Sequence, residues 1–103
     1  MSPAAALLRR SLMERAGLGR DRIFITSFRS VDWQSLTFTG ERHEIGLRLS
    51  GPDAAGALAS LGAGWPGPNG LAGHVVADIL IVASRPLGDG SIEVDVEALT
   101  LSD

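Results

Sequence analysis

Cysteine and lysine are both absent from the 103-residue sequence. Without cysteine the chain can form neither a disulfide nor a zinc finger, and it can perform no thiol catalysis. Without lysine it lacks the Walker phosphate-binding loop, whose mechanism needs that residue. All nine basic residues are arginine, a usage that fits the codon bias of a GC-rich genome and has no functional meaning by itself.

Long apolar segments are missing as well. No run approaches the roughly 20 residues of a membrane-spanning helix. The apolar patch at residues 4–8 is followed by arginines where a secretory signal would need its cleavage site. We therefore expect a cytoplasmic protein with no membrane partner.

Hydrophobic residues make up 45% of the chain and charged residues 20%, which is the balance of a globular protein rather than a disordered one. At this length we expect a single domain over residues 1–103. The net charge of −3 argues against binding of nucleic acid through a basic face.

The charges are unevenly distributed along the chain. Residues 1–50 contain eight arginines and five acidic residues, whereas residues 51–103 contain one arginine and seven acidic residues. We expect the two halves to meet through arginine–carboxylate contacts, within one chain or between two copies.

Two segments have the pattern of amphipathic helices. Ser2 and Pro3 favour a helix start, and Gly17 ends the helix. Its apolar stripe consists of Ala4, Ala5, Leu8, Leu12 and Ala16. A second, short helix follows residues 50–53 and stops at Gly62; its stripe consists of Ala54, Ala57, Leu58 and Leu61. Residues 62–73 form a glycine-rich loop that contains Trp65.

Residues 23–50 alternate apolar and polar side chains as strands do. A two-residue Gly40-Glu41 turn of type II′ is expected, because glycine readily adopts the positive φ that this turn needs. It places Leu36 opposite Ile45 and Phe38 opposite His43. Residues 23–38 are one long bent strand or two strands broken near residues 31–32.

The last hairpin has the clearest pattern. Residues 74–84 and 91–101 flank Asp89-Gly90, a strong signal for a two-residue turn. That turn pairs Ile81 with Ala98, Ala83 with Val96, and Leu87 with Ile92. The opposite face carries three acids near the turn and an apolar group farther away: Glu93, Asp95 and Glu97, then Val76, Leu80, Val82, Leu99 and Leu101. The elements together predict an α+β fold in the order α-β-β-α-β-β, with antiparallel hairpins and helices packed on one face of the sheet.

Sequence motifs for cofactors and metals are missing. Residues 62–67 match G-x-G-x-x-G, but a helix precedes them and a proline interrupts them, so they are not a dinucleotide-binding loop. His43 and His74 do not have the spacing of a metal site. The three acids Glu93, Asp95 and Glu97 are better interpreted as a solvated strand edge than as a cation site. We expect no cofactor and no metal.

A few polar residues are candidates for a site. His43 can act as a general base near pH 7 if Glu44 or Asp78 steers it, although a polar turn residue is the simpler interpretation. Asp78 lies in an apolar run, opposite Leu101 in the expected register. Its carboxylate therefore needs a partner, for which the candidates are Arg29, Arg42 and Arg48.

The remaining candidates are for ligand binding: Trp33, Trp65, Arg42 and His74. Both tryptophans are expected first of all to cap the core. The alternatives are that Trp33 stacks on Arg48 and that Trp65 closes over a ligand.

Three functional hypotheses follow. The first is a non-enzymatic binding or self-association module, most simply a homodimer, because the last hairpin has a second apolar face. The second is a small-molecule enzyme that uses His43 with Glu44 or Asp78 as acid–base groups. The third is a binder of an acidic partner or nucleic acid through the arginine-rich N-terminal half, with Arg9, Arg10 and Arg15 on its first helix.

Overall fold

The computed structural model describes residues 1–62 and 74–102. In chain order the elements are α1 (Pro3–Ala16), β1 (Ile23–Gln34), β2 (Thr39–Leu49), α2 (Ala54–Gly62), β3 (His74–Pro86) and β4 (Ile92–Ser102). The strands form one antiparallel sheet in the order β1-β2-β4-β3. The expected α+β fold and its element order are confirmed.

Local signals determine both ends of α1. The Ser2 hydroxyl accepts a hydrogen bond from the backbone N–H of Ala5 at 3.1 Å, and Pro3 occupies the first turn. Gly17 ends the helix with a φ of 68°, in the left-handed region that glycine favours. All five residues of the expected apolar stripe are buried.

The two helices pack on one face of the sheet and form the core with it. Fully buried side chains come from α1, β2 and β4: Leu8, Leu12, Leu47, Leu49 and Val94. Burial of each leucine contributes about 1.5–3 kcal/mol relative to an exposed position. From α2, Ala54, Ala57 and Leu61 are buried, and Leu58 packs against the core, as its stripe predicts.

The turn of the first hairpin differs from the expectation. Gln34 pairs with Thr39, and the tip comprises residues 35–38, where the Ser35 N–H donates to the Phe38 carbonyl at 2.9 Å. Leu36 and Phe38 are therefore exposed at the tip and do not face Ile45 and His43. The break expected near residues 31–32 does not occur, because β1 is one strand with a bulge between Ile25 and Ser27.

Gly40 is not a turn residue but lies within β2, opposite Trp33. It does not adopt a positive φ. A Cβ at this position would lie 1.9 Å from the carbonyl oxygen of Thr100 on β4. The glycine therefore permits the close approach of β2 and β4. The expected type II′ turn at Gly40-Glu41 is wrong, because close approach of two backbones is the other reason for a glycine within a strand.

The second hairpin closes with a longer loop than expected. Leu87 N–H donates to the Ser91 carbonyl at 2.8 Å, and Gly90 has a φ of 88°, so residues 88–90 form the loop. Pro86, rather than Leu87, therefore faces Ile92. This is the geometry of a three-residue connection with a left-handed last residue.

Two bulges in β3 shift the register further. They lie between Val76 and Asp78 and between Ile81 and Ala83. Ile81 consequently faces Val96 instead of Ala98, and Ala83 faces Asp95 instead of Val96. Because each bulge reverses the alternation of side chains, Val76 joins the core although the sequence placed it on the opposite face.

Candidate functional site

His43 lies in the core, on the face of β2 that the helices cover, and has no exposed surface. Its Nδ1 is 2.7 Å from the Ser30 hydroxyl, and its Nε2 is 2.9 Å from the Thr100 hydroxyl. The Phe28 ring meets the imidazole edge-on, with the ring centroids 6.0 Å apart. The histidine thus joins three strands through two hydrogen bonds.

Burial lowers the pKa of His43 from its usual value, and the nearby Glu41 carboxylate opposes this shift only in part. A neutral imidazole has one donor and one acceptor nitrogen. One hydroxyl therefore donates to the ring while the other accepts from it. Both ring nitrogens are satisfied, which is the arrangement of a structural core histidine.

The structure does not bring His43 together with its expected carboxylate partners. Glu44 follows His43 on the strand and is exposed on the other face, where its carboxylate lies 3.4 Å from Arg29. Asp78 is exposed on β3, on that same face. No general base with a steering acid is formed by these three residues.

The expected buried ion pair at Asp78 is also wrong. The bulge at Ala77 brings Val76 and Ile79, three residues apart, to the core and leaves Asp78 on the exposed side. Its cross-strand neighbour is Leu99, and the neighbour of Leu99 on the next strand is Arg42. Asp78 and Arg42 therefore share one row of the sheet, two strands apart, and both are exposed.

The aromatic and histidine candidates are scattered. Trp33 faces Gly40 on the side of the sheet away from the helices, so it neither caps the core nor stacks on Arg48. The Arg48 guanidinium instead lies 5.7 Å from the centre of the Phe24 ring. His74 begins β3 opposite Ser102, and its Nδ1 is buried without a hydrogen-bond partner among the described residues. Trp65 lies outside the residues that the structure describes.

Arg85 organises the acids of the last hairpin. It forms ion pairs with Glu93 and, at 3.2 Å, with Asp95. Two further ion pairs are Arg22–Asp21 and Arg29–Glu44. Each of these pairs lies within one half of the chain, and backbone pairing of β2 with β4 and the shared core join the halves. The expected arginine–carboxylate contacts between two copies stay a prediction. Within residues 1–62 and 74–102, no group of three or more acidic or histidine side chains is arranged to hold a metal.

The sheet face opposite the helices, here called the outer face, carries most of the charge of the strands. By strand alternation and register, its β1–β2 side presents Arg29, Arg42, Arg48 and Glu44. Its β3–β4 side presents Arg85, Asp78, Glu93, Asp95 and Glu97. One side of the outer face is therefore net positive and the other net negative.

Apolar side chains accompany these charges on the outer face. Leu80 and Val82 on β3 are 55% and 51% exposed, and Phe24 and Val31 on β1 are also among the exposed large hydrophobic residues. A shallow depression of about 360 Å³ lies at Gly46, between Val82 and Ser27. A Cβ on Gly46 would come within 2.6 Å of the Ser27 hydroxyl oxygen, so the glycine lets β1 side chains lie over β2.

The arginines of α1 are divided between two environments. Arg15 donates to the Ser60 carbonyl of α2 at 3.2 Å and thereby links the helices. Arg9 and Arg10 are exposed beside a groove of about 980 Å³ between α1 and the start of β1. Neither helix of the described chain is long and apolar enough to cross a membrane.

The two hydroxyl groups that hydrogen-bond to His43 were not predicted from the sequence. Ser30 is 13 positions and Thr100 57 positions away from the histidine. Only the pairing of β2 with β1 and β4 brings these hydroxyls to the ring, and no local spacing signals it.

No protein-family model matches this chain, and no curated protein or solved structure was found to be similar to it.

Proposed function

We propose that the protein is a non-enzymatic self-association module that forms a homodimer through the outer face of its sheet. The observation that carries the proposal is the combination of an uncovered sheet face, in the part of the chain that the structure describes, with half-exposed apolar side chains such as Leu80 and Val82. Apolar patches of this kind are typical of interaction sites.

The area of the outer face supports the proposal. Four strands spaced about 4.8 Å apart and about 34 Å long cover roughly 650 Å². Two copies would bury roughly 1,300 Å² in total, which lies within the range of about 1,200–2,000 Å² for specific interfaces.

The edges of the sheet are less suited to pairing than its face. The edge strands are β1 and β3, and both contain bulges. β3 also ends at Pro86, which offers no backbone donor. Bulges and prolines at edges hinder edge-to-edge pairing of strands, so the outer face is the surface on which we base the proposal.

The position of His43 favours this proposal over the enzyme hypothesis. A general base must lie within hydrogen-bond reach of its substrate. His43 has no exposed surface, and its two ring nitrogens are engaged by hydroxyl groups of the core. The cytoplasmic location stays a prediction.

Sedimentation equilibrium over the micromolar range tests the proposal, with Leu80→Asn as the disrupting variant. We expect the wild type to be a dimer and Leu80→Asn to be a monomer, because a polar amide in an apolar interface must be desolvated. The matched control is Leu36→Asn, the same change at a fully exposed position of the hairpin tip outside the outer face, which should remain a dimer. A dimer with a micromolar dissociation constant would be almost fully formed at about 100 µM. A wild type that is strictly monomeric at that concentration would overturn the proposal.

A further inference from the structure

Resting on the proposed self-association, we infer that the partner is a second copy whose two-fold axis runs parallel to the strands, so that the arginine side of one outer face meets the acidic side of the other. The starting observation is the separation of charge within the outer face. On its β1–β2 side, three arginines accompany one glutamate; on its β3–β4 side, four acids accompany one arginine.

Symmetry restricts how two such faces can stack. In a face-to-face dimer of sheets the two-fold axis lies between the sheets, with limiting orientations along the strands or across them. Both orientations keep the strands of the two sheets aligned, as in ordinary sheet packing. They differ in which strands meet across the interface.

An axis across the strands places β1 over the partner's β1 and β3 over the partner's β3. Arginines then stack on arginines and acids on acids, which is unfavourable. An axis along the strands instead places β1 and β2 over the partner's β3 and β4. The net positive side then meets the net negative side at two equivalent places, so charge complementarity selects this orientation.

The register identifies the contacts that the selected axis produces. Rotation about an axis parallel to the strands leaves each residue at the same height along the strands. A row, meaning a set of cross-strand neighbours, therefore lies over the same row of the partner with the order of the strands reversed. The row that contains Arg42, Leu99 and Asp78 therefore brings Arg42 over the partner's Leu99 and beside the partner's Asp78. The row that contains Arg48 and Glu93 brings these two residues opposite each other across the interface.

Gly40 of β2 fits this arrangement. It faces Leu101 within the sheet, and the rotation brings the partner's Leu101 over Gly40, where β2 has no side chain. Glu44 meets the partner's Glu97, and Arg29, which already pairs with Glu44 at 3.4 Å, lies beside both carboxylates. The arginine compensates the like charges at that level.

Charge reversal of one row tests the axis. Arg42→Glu and Asp78→Arg are each made alone, and both positions are exposed, so neither change disturbs the core. Each variant alone places like charges together twice per dimer, and we expect its dimer to dissociate about tenfold more readily than the wild type. Mixed in equal amounts, the two variants restore opposite charges at both places, and we expect the mixed dimer to recover the wild-type affinity.

The readout is energy transfer between donor- and acceptor-labelled chains, with sedimentation equilibrium as the second measurement. The matched control pair is Arg9→Glu with Asp53→Arg, exposed charges outside the sheet, which should change neither the separate nor the mixed affinities. The wild-type dimer should also weaken with added salt, since the complementary charges lie at an aqueous interface.

The possible outcomes separate this inference from the proposed function. A monomeric wild type overturns both. A wild-type dimer whose affinity is unchanged by Arg42→Glu and Asp78→Arg, alone or mixed, overturns the axis and leaves the self-association standing. A dimer that Arg42→Glu strengthens indicates the axis across the strands, because that change relieves repulsion between facing arginines.

Discussion

The Nε2 atom of His43 and the hydroxyl oxygen of Thr100 lie 2.9 Å apart in the core, although 57 positions separate the two residues in the chain. This contact joins the central strands β2 and β4, one from each half of the sequence. With the hydroxyl of Ser30 on Nδ1, it forms a polar connection across three strands on the face of the sheet that also carries the apolar core.

The buried histidine gives stability a dependence on pH. Because burial lowers the pKa of His43 in the folded state, the unfolded chain takes up the proton first as the pH falls. The contribution is fully present above the ordinary histidine pKa of about 6.5 and is lost as the pH falls from there towards the lower folded pKa. In that window we expect a decrease in the free energy of unfolding of at most about 1.4 kcal/mol per pH unit.

Urea unfolding at pH 7.5 and 5.5 measures this effect, with His43→Gln as the comparison. The variant removes the titrating group, so its stability should fall less between the two pH values, and the carboxylates that titrate in both proteins cancel in the difference. Equal losses in the wild type and in His43→Gln would contradict the assignment to His43.

Substitution of Gly40 should destabilise the sheet. In Gly40→Ala the new methyl group would occupy the position 1.9 Å from the Thr100 carbonyl oxygen, so β2 and β4 must separate. We expect a loss of about 1–3 kcal/mol, the usual cost of overpacking. The matched control is Gly56→Ala on the exposed side of α2, where nothing lies within 4 Å and removal of a helical glycine should stabilise by up to about 1 kcal/mol. Thermal unfolding of the two variants should therefore shift in opposite directions.

The loop of the second hairpin offers a comparison of two neighbouring glycines. Gly90 has a φ of 88°, whereas Gly88 does not adopt a positive φ, and neither has an atom within 4 Å of an added Cβ. Gly90→Ala is therefore strained by its backbone alone, and we expect it to cost about 1–2 kcal/mol. Gly88→Ala should be neutral or slightly stabilising. Similar melting temperatures for the two variants would show that the loop tolerates a side chain at both positions.

The sequence predicted what local rules determine. The limits of α1 and its five buried residues followed from the Ser2 cap, the spacing of the apolar residues and Gly17. The pairing of strands into two hairpins followed from alternation. These features depend on interactions within a few residues, which a single sequence contains.

Features that depend on distant residues were missed. A glycine can permit a turn or a close approach, and only the position of β4 shows that Gly40 serves the second purpose. The bulges at Ala77 and Val82 have no residue signal, yet they decide that Asp78 is exposed and that Val76 is buried. The outer face could be anticipated as a second apolar surface, and the sequence showed the unequal charge of the two halves. Which charged side chains share the outer face required the register of all four strands.

The order of strands in the sheet also has a kinetic consequence. Each hairpin joins strands that are adjacent in the chain, whereas the strands of the central β2–β4 pair are separated in the chain by α2 and β3. Loops that close long segments are entropically costly, and such non-local pairing slows folding. We therefore expect formation of the β2–β4 pair to be the slow event in folding.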